Sequence, residues 1–314
     1  MLTGLSLSTI ALLLVAGIAL DLLLGETQRW HPLVGFGNLA SFIERRLNRG
    51  QARLVRGGLA WALAVLPLSL LFLALTDIAG QWLHAVLLYF CIGLRSLRDH
   101  TLPIYQALCA GDLAQARALT ARIVSRDTAN ASESDLAKAS AESLLENGND
   151  AVFGTLFWFI LLGGPGAVLF RLANTLDAMW GYRSERFNLF GRCAARIDDA
   201  LNYLPARLTA LSYVLLAGAG RARAWQCWRT QAPAWSSPNA GPVMASGAGA
   251  LGVSLGGAAV YDGEVEQRPP LGAGPAACAG DILRAWRLVL RTTLLWAGAA
   301  CLLAVLSSIG APHA

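Results

Sequence analysis

The apolar residues of the chain are concentrated in long runs separated by polar stretches. Runs over about 5–24, 59–76, 82–94 and 288–309 approach or reach the roughly 20 residues that a helix needs to cross a bilayer. We therefore predict an all-α integral membrane protein with these runs as transmembrane helices, of which 59–76 and 82–94 form a hairpin. Residues 1–314 are expected to form a single membrane-embedded domain.

Two further apolar stretches, 151–173 and 204–218, are ambiguous. The first is broken in its middle by Gly163-Gly164-Pro165-Gly166, so that each half gives only about 18 Å of helix against a hydrocarbon core of about 30 Å. A full span would also place the arginines between 171 and 196 outside, against the positive-inside rule. We favour a re-entrant or interfacial broken helix, whose break must be buried in protein.

The arginines set the expected orientation. No Lys or Arg precedes the first apolar run, which we interpret as a retained anchor rather than a signal peptide. The first basic cluster, between Arg45 and Arg56, follows that run and predicts an external N-terminus. The segments expected in the cytoplasm are about 25–58, 95–150, 174–203 and 221–287.

Local signals predict two helices within the first long polar segment. Gly111-Asp112 precedes a helix over 113–124 with Asp112 as its N-cap. A capping-box pattern from Ser132 to Asp135 begins a second helix. We expect that helix to end at Gly148.

Composition narrows the functional class. The chain is 55% hydrophobic and 14% charged, against about one quarter charged in soluble domains. Its net charge of +5 is carried almost wholly by arginine, because Lys138 is the only lysine, and arginine suits anionic ligands as well as a lipid surface. The absence of a basic run interleaved with aromatic residues argues against nucleic acid. The six scattered cysteines form no CxxC pair, which argues against a zinc site or a disulfide framework.

Glu142 and Glu146 lie four residues apart, on one face of the second predicted helix. Two such carboxylates suit Mg²⁺, which takes a few protein oxygens together with phosphate oxygens. The spacing alone favours the alternative of a solvated face on which Lys138 pairs with Glu142. Asp150 lies beyond Gly148, so its direction does not follow from the pattern. Arg126-Asp127-Thr128 fits a phosphate contact beside a metal-binding carboxylate equally as well as an ordinary turn.

A second polar set flanks the ambiguous apolar stretches. Asn174 and Asp177 are three residues apart, hence on one helical face, and Asp198, Asp199 and Asn202 recur before the next apolar stretch. Polar groups beside hydrocarbon are costly unless they are paired or line a wet cavity, which makes these residues functional candidates. The arginines that can pair with them are Arg183, Arg186, Arg192 and Arg196. The alternative is a set of structural ion pairs at the interface.

Glycine-rich segments follow in the last polar region. Ser237-Pro238-Asn239-Ala240-Gly241 is typical of a turn-forming loop, and residues 247–252 spell GxGxxG. A dinucleotide site needs a strand before this pattern and an acidic partner after it, and both are missing, so we expect a close-packed glycine loop near a ligand. His31 in Trp30-His31-Pro32 is interpreted as an interfacial anchor.

Taken in order, several of these segments resemble the adenosylcobinamide-phosphate synthase family, the CobD/CbiB membrane proteins of cobalamin biosynthesis. The resemblance covers nearly the whole chain. It rests on Asp21–Gly25 with Arg29–Pro32, Ile123–Thr128, Glu142 to Asp150, Asn174–Asp177, Gly181-Tyr182 with Glu185-Arg186, Phe190-Gly191, Asp198 to Thr209, and Ser237–Gly241 leading to Gly249–Val253. Glu26 and Asn147-Gly148-Asn149 depart mildly from the family pattern.

The resemblance implies an ATP-dependent amide ligation, in which adenosylcobyric acid is joined to 1-amino-2-propanol or its O-phosphate. A carboxylate must be activated, most simply as an acyl phosphate, with Mg²⁺ and positive groups on the phosphates. The amine then attacks after losing a proton to a base. We expect Mg²⁺ as cofactor and ATP as cosubstrate.

The resemblance also implies roles for the candidate residues. Metal ligands are expected among Asp127, Glu142, Glu146 and Asp150. The base is expected from Asp177, Asp198 or Asp199. Substrate and phosphate contacts are expected from Arg126, Asn174, Arg183, Arg186 and Asn202, with Asn239 and Gly241 receiving the corrinoid or its linker.

The expected setting is the bacterial inner membrane, with the active site facing the cytoplasm and other cobalamin-assembly membrane proteins as partners. The alternative is a non-enzymatic sensor or transporter similar to the AmpE-like membrane proteins. Motif residues gathered in the segments expected in the cytoplasm favour an enzyme over that alternative.

Overall fold

A computed structural model describes residues 4–27, 31–261 and 263–309, and it is 75% helical. The helices are α1 (Leu7–Leu24), α2 (Pro32–Leu47), α3 (Arg53–Ala79), α4 (Trp82–Cys91), α5 (Leu94–Cys109), α6 (Leu113–Thr120), α7 (Glu133–Gly148), α8 (Gly154–Trp180), α9 (Arg192–Leu216), α10 (Arg221–Gln231), α11 (Ala240–Leu251) and α12 (Ala279–Ile309). Two strands, β1 (Ser254–Tyr261) and β2 (Glu264–Gly272), lie between α11 and α12.

The described residues group into two compact units, and the single membrane-embedded domain expected from the sequence stays a prediction. Unit 1 takes its residues from 1–93, 150–202 and 297–314. Unit 2 takes its residues from 94–149 and 203–296. Each unit is built from segments that are distant in the chain, which is why the pattern of apolar runs did not indicate the division.

Four helical segments are long and apolar enough to cross a membrane, namely α1, α3, the stretch Glu133–Trp180 and α12. The fold is therefore that of the expected helical membrane protein. The segment predicted as a span over 82–94 forms the ten-residue α4, and about 15 Å of helix falls short of a bilayer core. A helix, α2, also occupies part of the polar segment 25–58.

The apolar stretch 151–173 folds as a helical hairpin. Within α8, Gly163 adopts φ 64° and ψ −156° and separates two helical arms, 154–162 and 164–180. The arms fold back on each other, because a Cβ at Gly166 would lie 2.4 Å from the Trp158 carbonyl oxygen and one at Gly154 would overlap the Phe170 ring. The broken helix predicted from Gly163–Gly166 thus forms, and its place in a bilayer stays a prediction.

The tip of this hairpin is buried within unit 1, as a backbone break in an apolar protein requires. The Gly164 N–H donates to Nδ1 of the buried His84 at 2.9 Å. Pro165 begins the second arm, where its missing N–H costs nothing. Gly163–Gly166 are all buried, so the break is enclosed by protein, as a re-entrant or interfacial helix requires.

The predicted caps are confirmed, although two helix ends differ. Asp112 accepts from the Gln115 N–H, and Ser132 and Asp135 form the capping box of α7. The helix expected to reach residue 124 ends at Thr120. Beyond Gly148 the chain continues through a π-helical turn over 149–153 into α8. Gly148 thus serves close packing, because a Cβ there would lie 3.0 Å from Val289.

Unit 2 contains an antiparallel hairpin, β1–β2, inside the segment from which no strand was predicted. The GxGxxG pattern forms the end of α11 rather than a loop, with Gly252 as its left-handed C-cap. The expected close packing is present, because a Cβ at Gly249 would lie 2.7 Å from the Ala224 Cα. These glycines let α11 approach its neighbours, and the helix excludes the strand that a dinucleotide site needs.

Replacing Gly163 with alanine tests the hairpin. At φ 64° and ψ −156° an L-residue is strained by about 1–3 kcal/mol, so the free energy of unfolding falls by that amount. Thermal unfolding in detergent measures the effect. Gly298→Ala is the matched control, because its Cβ would meet no atom within 4 Å and alanine favours helix. Equal unfolding temperatures for the two variants would contradict the strained turn.

Candidate functional site

A buried polar cluster in unit 1 joins the second arm of α8 to the start of α9. We call it the Asp198 cluster: Asp150, Arg171, Asn174, Asp198 and Asn202. Asn174 donates to Asp198 Oδ1 at 3.3 Å, and Asn202 donates to Asp198 Oδ2 at 3.4 Å and to Asp150 Oδ1 at 3.0 Å. Arg171 donates to Asn174 Oδ1 at 3.2 Å. The hairpin and the helical spacing of Asp198 and Asn202 bring these side chains together.

Asp198 is held in an environment that disfavours its charge. The side chain is nearly fully buried, and its direct contacts are with amide groups rather than arginines. Burial, followed by the neighbouring charges of Asp150 and Asp177, raises the pKa of Asp198 well above its usual range, and the two amide hydrogen bonds only partly oppose this. Such a carboxyl is a candidate for proton transfer.

The loop 181–191 carries two of the predicted phosphate-binding arginines and is fixed at its end. A Cβ at Gly191 would lie 1.7 Å from the Trp180 carbonyl oxygen, and one at Gly57 would lie 1.9 Å from the Phe190 carbonyl oxygen. The Trp180 and Phe190 rings pack edge to face at 5.1 Å. Only glycine permits these approaches, which hold the exposed part of the loop against α3 and α8.

Arg183 and Arg186 line two different pockets of unit 1. The Arg183 pocket, about 420 Å³ in volume, is lined on its polar side by Arg183, Arg192, Arg196 and Asp199. The Arg186 pocket, about 620 Å³, lies against α2 and the start of α3. These two arginines, both predicted to contact phosphates, therefore line different pockets.

Asp198 and Asp199 are neighbours in the chain, but Asp198 lies in the Asp198 cluster and Asp199 lines the Arg183 pocket. Asp199 lines the Arg183 pocket and is half-buried, and burial raises its pKa. Arg192, Arg196 and Asp199 lie at positions i, i+4 and i+7 of α9, hence on one face. Asp198 and Asn202 lie on another face.

In unit 2, Glu142 is held by two arginines. Its carboxylate, with 2% of the side chain exposed, pairs with Arg126 and with Arg268, whose Nη1 lies 3.1 Å from Oε2. Oε1 also accepts from the Gly256 N–H at 2.6 Å. Glu142 and Arg126, expected as a metal ligand and a phosphate contact, thus bind each other in this structure, and their expected roles stay predictions. Lys138 pairs with Asp135 instead of Glu142.

The β-hairpin is shaped to meet Glu142. Gly256 and Gly257 both have a φ of 69°, and the register of β1 on β2 shifts between Gly256 and Ala258. A bulge of this kind turns backbone donors out of the ladder. It directs the Gly256 N–H to Glu142, while Arg268 donates from β2.

Asp127 also binds the hairpin. Its N–H donates to the Val260 carbonyl oxygen at 2.8 Å, and its Oδ2 accepts from the Gly263 N–H at 2.8 Å. This contact differs from the local turn that was one of the two alternatives, and the metal-binding role of Asp127 stays a prediction. Arg126, Asp127 and Lys138 line a pocket of about 730 Å³ in unit 2.

The other predicted residues occupy separate places. Glu146 is half-buried on α7. Asn239 Oδ1 accepts from Arg207 at 2.8 Å, and Gly241 packs close to the Ala232 carbonyl oxygen. His31 accepts from the Leu33 N–H at 3.2 Å and caps α2. Arg29 and Trp30 lie outside the described residues.

Within residues 4–27, 31–261 and 263–309, no group of three or more His, Cys, Asp or Glu side chains is placed to hold a metal ion. The predicted set of Asp127, Glu142, Glu146 and Asp150 thus does not form a prearranged metal site in the described structure. The metal-ligand roles of these four residues stay a prediction.

Comparison with known proteins agrees with the resemblance seen in the sequence. A family profile described as CobD/Cbib protein matches residues 14–289. A protein of Chromobacterium violaceum named cobalamin biosynthesis protein CobD is 54% identical, with 97% of this chain and 99% of the relative aligned. One of the same name from Stutzerimonas stutzeri is 56% identical over 95% of this chain and 97% of the relative. No solved structure matches the chain.

The chain belongs to the CobD/CbiB family. Membership supports a role in cobalamin biosynthesis. In this family member the predicted polar set Asn174, Asp198 and Asn202 comes together as one cluster. The candidate catalytic Asp177 lies near enough to raise the pKa of Asp198.

The sequence did not indicate that Arg268 pairs with Glu142. It also did not indicate the pocket that Arg192 and Arg196 form with Asp199. The helical spacing of Arg192, Arg196 and Asp199 could have indicated their common face. No local signal could have paired Arg268 with Glu142, because they are 126 residues apart.

Replacing Glu142 with glutamine tests the paired arginines. The variant leaves two guanidinium groups buried without a counter-charge, and breaking a buried pair costs about 3–5 kcal/mol. We expect the free energy of unfolding to fall by about that amount, measured by thermal unfolding in detergent. Glu264→Gln, on the exposed end of the same hairpin, should change it little. A similar small effect at Glu142 would contradict a stabilising role for the cluster.

Replacing Asp198 with asparagine should stabilise the protein at neutral pH. Because the folded state raises the pKa of Asp198, the stability of the native chain falls as pH rises above about 4, the unfolded carboxyl value. Asparagine removes that penalty, so the variant unfolds at a higher temperature near pH 7, and the gain shrinks towards pH 4. Asp99→Asn, at an exposed ion pair, is the control. Destabilisation at neutral pH would indicate that the ionised carboxylate is structurally required.

Proposed function

We propose that the protein is an ATP-dependent amide ligase, joining the propionate carboxyl of adenosylcobyric acid to 1-amino-2-propanol O-phosphate, or to the free amino alcohol. Family membership supports the pathway, and the resemblance set out above suggests this reaction. The amine–phosphate substrate carries a positive charge at one end and negative charge at the other. Its site must therefore hold both signs within a few ångströms.

The Arg183 pocket is the observation that carries the proposal. It combines three arginines with the half-buried carboxylate of Asp199 in about 420 Å³, a volume within the range of small-molecule sites. Arginine binds phosphate through two parallel hydrogen bonds. The three arginines thus suit the phosphate, and Asp199 suits the ammonium. The free amino alcohol would use only the carboxylate.

In the proposed reaction the corrinoid carboxylate first takes the γ-phosphoryl group of ATP. The amine nitrogen then attacks the acyl carbon, the C–N bond forms, and phosphate leaves with the C–O bonding electrons. Asp199 accepts the proton that the ammonium must lose before attack. A carboxyl whose pKa is raised by burial is a stronger base for this step than one in water.

The Asp198 cluster is proposed to position α9. Asp198 binds Asn174 on the second arm of α8, and its neighbour Asp199 lies on the adjacent face of the same helix. Trp158 of the first arm donates to the Leu201 carbonyl oxygen at 3.0 Å. Asp198 is thus assigned a positioning role and Asp199 the base, while Asp177 stays a candidate.

Mg²⁺ is proposed to enter with the nucleotide, since it prefers phosphate oxygens and a few carboxylates. Asp150 or Asp127 can add a ligand; Glu142 is engaged by arginines. Bound Mg²⁺ would neutralise phosphate charge during transfer.

The corrinoid is proposed to contact Asn239 and Gly241. We place the reaction at the cytoplasmic face of the inner membrane, with other cobalamin-assembly proteins as partners.

The detergent-purified protein tests the proposal when it is supplied with ATP, Mg²⁺, adenosylcobyric acid and aminopropanol phosphate. We expect ADP release together with a corrinoid mass gain of one amide. In Asp199→Asn, kcat should fall at least about 100-fold, as expected for a lost general base. The increase of rate with pH should also disappear.

Asp99→Asn serves as the control and should keep wild-type kinetics, because its exposed pair with Arg95 lies on α5. Unchanged kcat in Asp199→Asn would remove Asp199 as the base. Absence of both products from folded wild-type protein would favour the non-enzymatic alternative.

A further inference from the structure

The Arg186 pocket in unit 1 has no role in the proposed reaction. Its polar wall carries Arg45, Arg49, Arg53 and Arg186, together with Asn48 and Ser184. Two glutamates also line it, Glu44 and Glu185. Positive side chains therefore outnumber negative ones, and the pocket suits an anionic group.

The pocket is built around a buried anchor. Glu44, 4% exposed, accepts two hydrogen bonds from Arg186, from Nε at 3.0 Å and from Nη2 at 2.6 Å. It also accepts from Asn48 at 2.7 Å. This contact fixes the end of α2 against the loop 181–191 and neutralises Arg186 in part. Arg45 and Arg49, both exposed, keep their charge for a ligand.

Backbone contacts hold the remaining arginines in place. Arg53 donates to the Glu185 carbonyl oxygen at 3.4 Å. Arg56 donates to the Arg49 carbonyl oxygen at 2.6 Å, which closes the turn between α2 and α3. Arg53 and Arg186 are thus fixed by protein contacts, while Arg45 and Arg49 are exposed side chains at the same end of α2.

The start of α3 also borders an apolar groove of about 340 Å³. It is lined by Leu54, Cys193, Ile197, Ala200 and Leu201, with Arg192 and Arg196 at its polar side. Arg53 lines the basic pocket and Leu54, the next residue, lines the groove. The first turn of α3 thus carries one lining residue of each cavity, and the groove also shares Arg192 and Arg196 with the Arg183 pocket.

The Arg186 pocket lies at the end of a helix suited to lipid. Only 17% of the most apolar part of α3 is buried, and Val55, Leu59 and Leu63 are at least half exposed. Arginines at the end of such a helix mark the level of the headgroups. Phosphate oxygens and acyl chains meet at that level.

We propose that the Arg186 pocket binds the headgroup phosphate of an anionic phospholipid, with an acyl chain along the apolar groove. The four arginines provide the charge complement, and the groove explains why a lipid is preferred over a soluble phosphate. The headgroup contacts do not depend on the amide ligation, since Arg45 and Arg49 lie outside the Arg183 pocket. The groove shares Arg192 and Arg196 with that pocket.

The test uses the full-length protein in a mild non-ionic detergent. It is titrated with dioleoyl phosphatidylglycerol, dioleoyl phosphatidylcholine or glycerol 3-phosphate, and unfolding temperature is followed by tryptophan fluorescence, for which the chain has 10 residues. The test variant is Arg45→Gln/Arg49→Gln. Arg98→Gln/Arg122→Gln removes the same charge from exposed positions of unit 2 and is the control.

We expect phosphatidylglycerol to raise the unfolding temperature of the wild type, with little effect from the other two compounds. The test variant should unfold like the wild type without lipid and need roughly 25-fold more phosphatidylglycerol, equivalent to about 1 kcal/mol for each arginine. The control should match the wild type.

Three results would overturn the proposal. Equal stabilisation by both lipids would indicate hydrophobic binding without headgroup recognition. An equal response in the test and control variants would indicate that total charge alone attracts the lipid. Stabilisation by glycerol 3-phosphate at the same concentration as phosphatidylglycerol would assign the pocket to a soluble phosphate.

Discussion

The backbone break at Gly163 is the constraint on which unit 1 depends. A helix interrupted in an apolar setting exposes N–H and C=O groups that have no water to bind. His84 accepts one of these donors, at Gly164, and the small residues around the break allow the two arms of α8 to pack directly together. The return of the chain at this point brings Asn174 to Asp198. Without the fold-back, the polar residues of α8 and α9 would have no common site.

Much of this arrangement could be predicted from local sequence. The break followed from Gly163–Gly166, and the caps of α6 and α7 followed from Asp112 and from Ser132 with Asp135, because each signal acts within a few residues. The spacing of Asn174 and of Asp198 with Asn202 indicated helix faces that carry polar groups. What local spacing could not give was the partner of each face, since Asp150, Asn174 and Asp198 meet only through tertiary packing.

Unit 2 shows the limits of the same reasoning more clearly. The β-hairpin contains Gly256, Gly257 and paired prolines at 269–270, which weaken any strand signal. Its formation depends on Glu142 and Asp127, which bind its backbone from more than 100 residues away. Glu142 had the spacing of a possible metal ligand, but that spacing could not reveal two arginines and an N–H converging on it. Tertiary partners, rather than the position on the helix, decide what a buried carboxylate such as Glu142 does.

The two buried carboxylates Glu142 and Asp198 therefore have opposite electrostatic surroundings. Glu142 pairs with two arginines, and these contacts make it a structural anchor. Asp198 is surrounded by amides and further carboxylates, which leave its charge disfavoured. The arginines of α9 line the neighbouring pocket with Asp199, and Arg171 of the cluster donates to Asn174. A carboxyl whose charge is disfavoured costs stability, and such a cost is commonly retained at functional sites. In the proposed reaction Asp198 positions the helix that carries the base, Asp199. Glu142 therefore has a structural role, and the candidates for chemistry lie on α9.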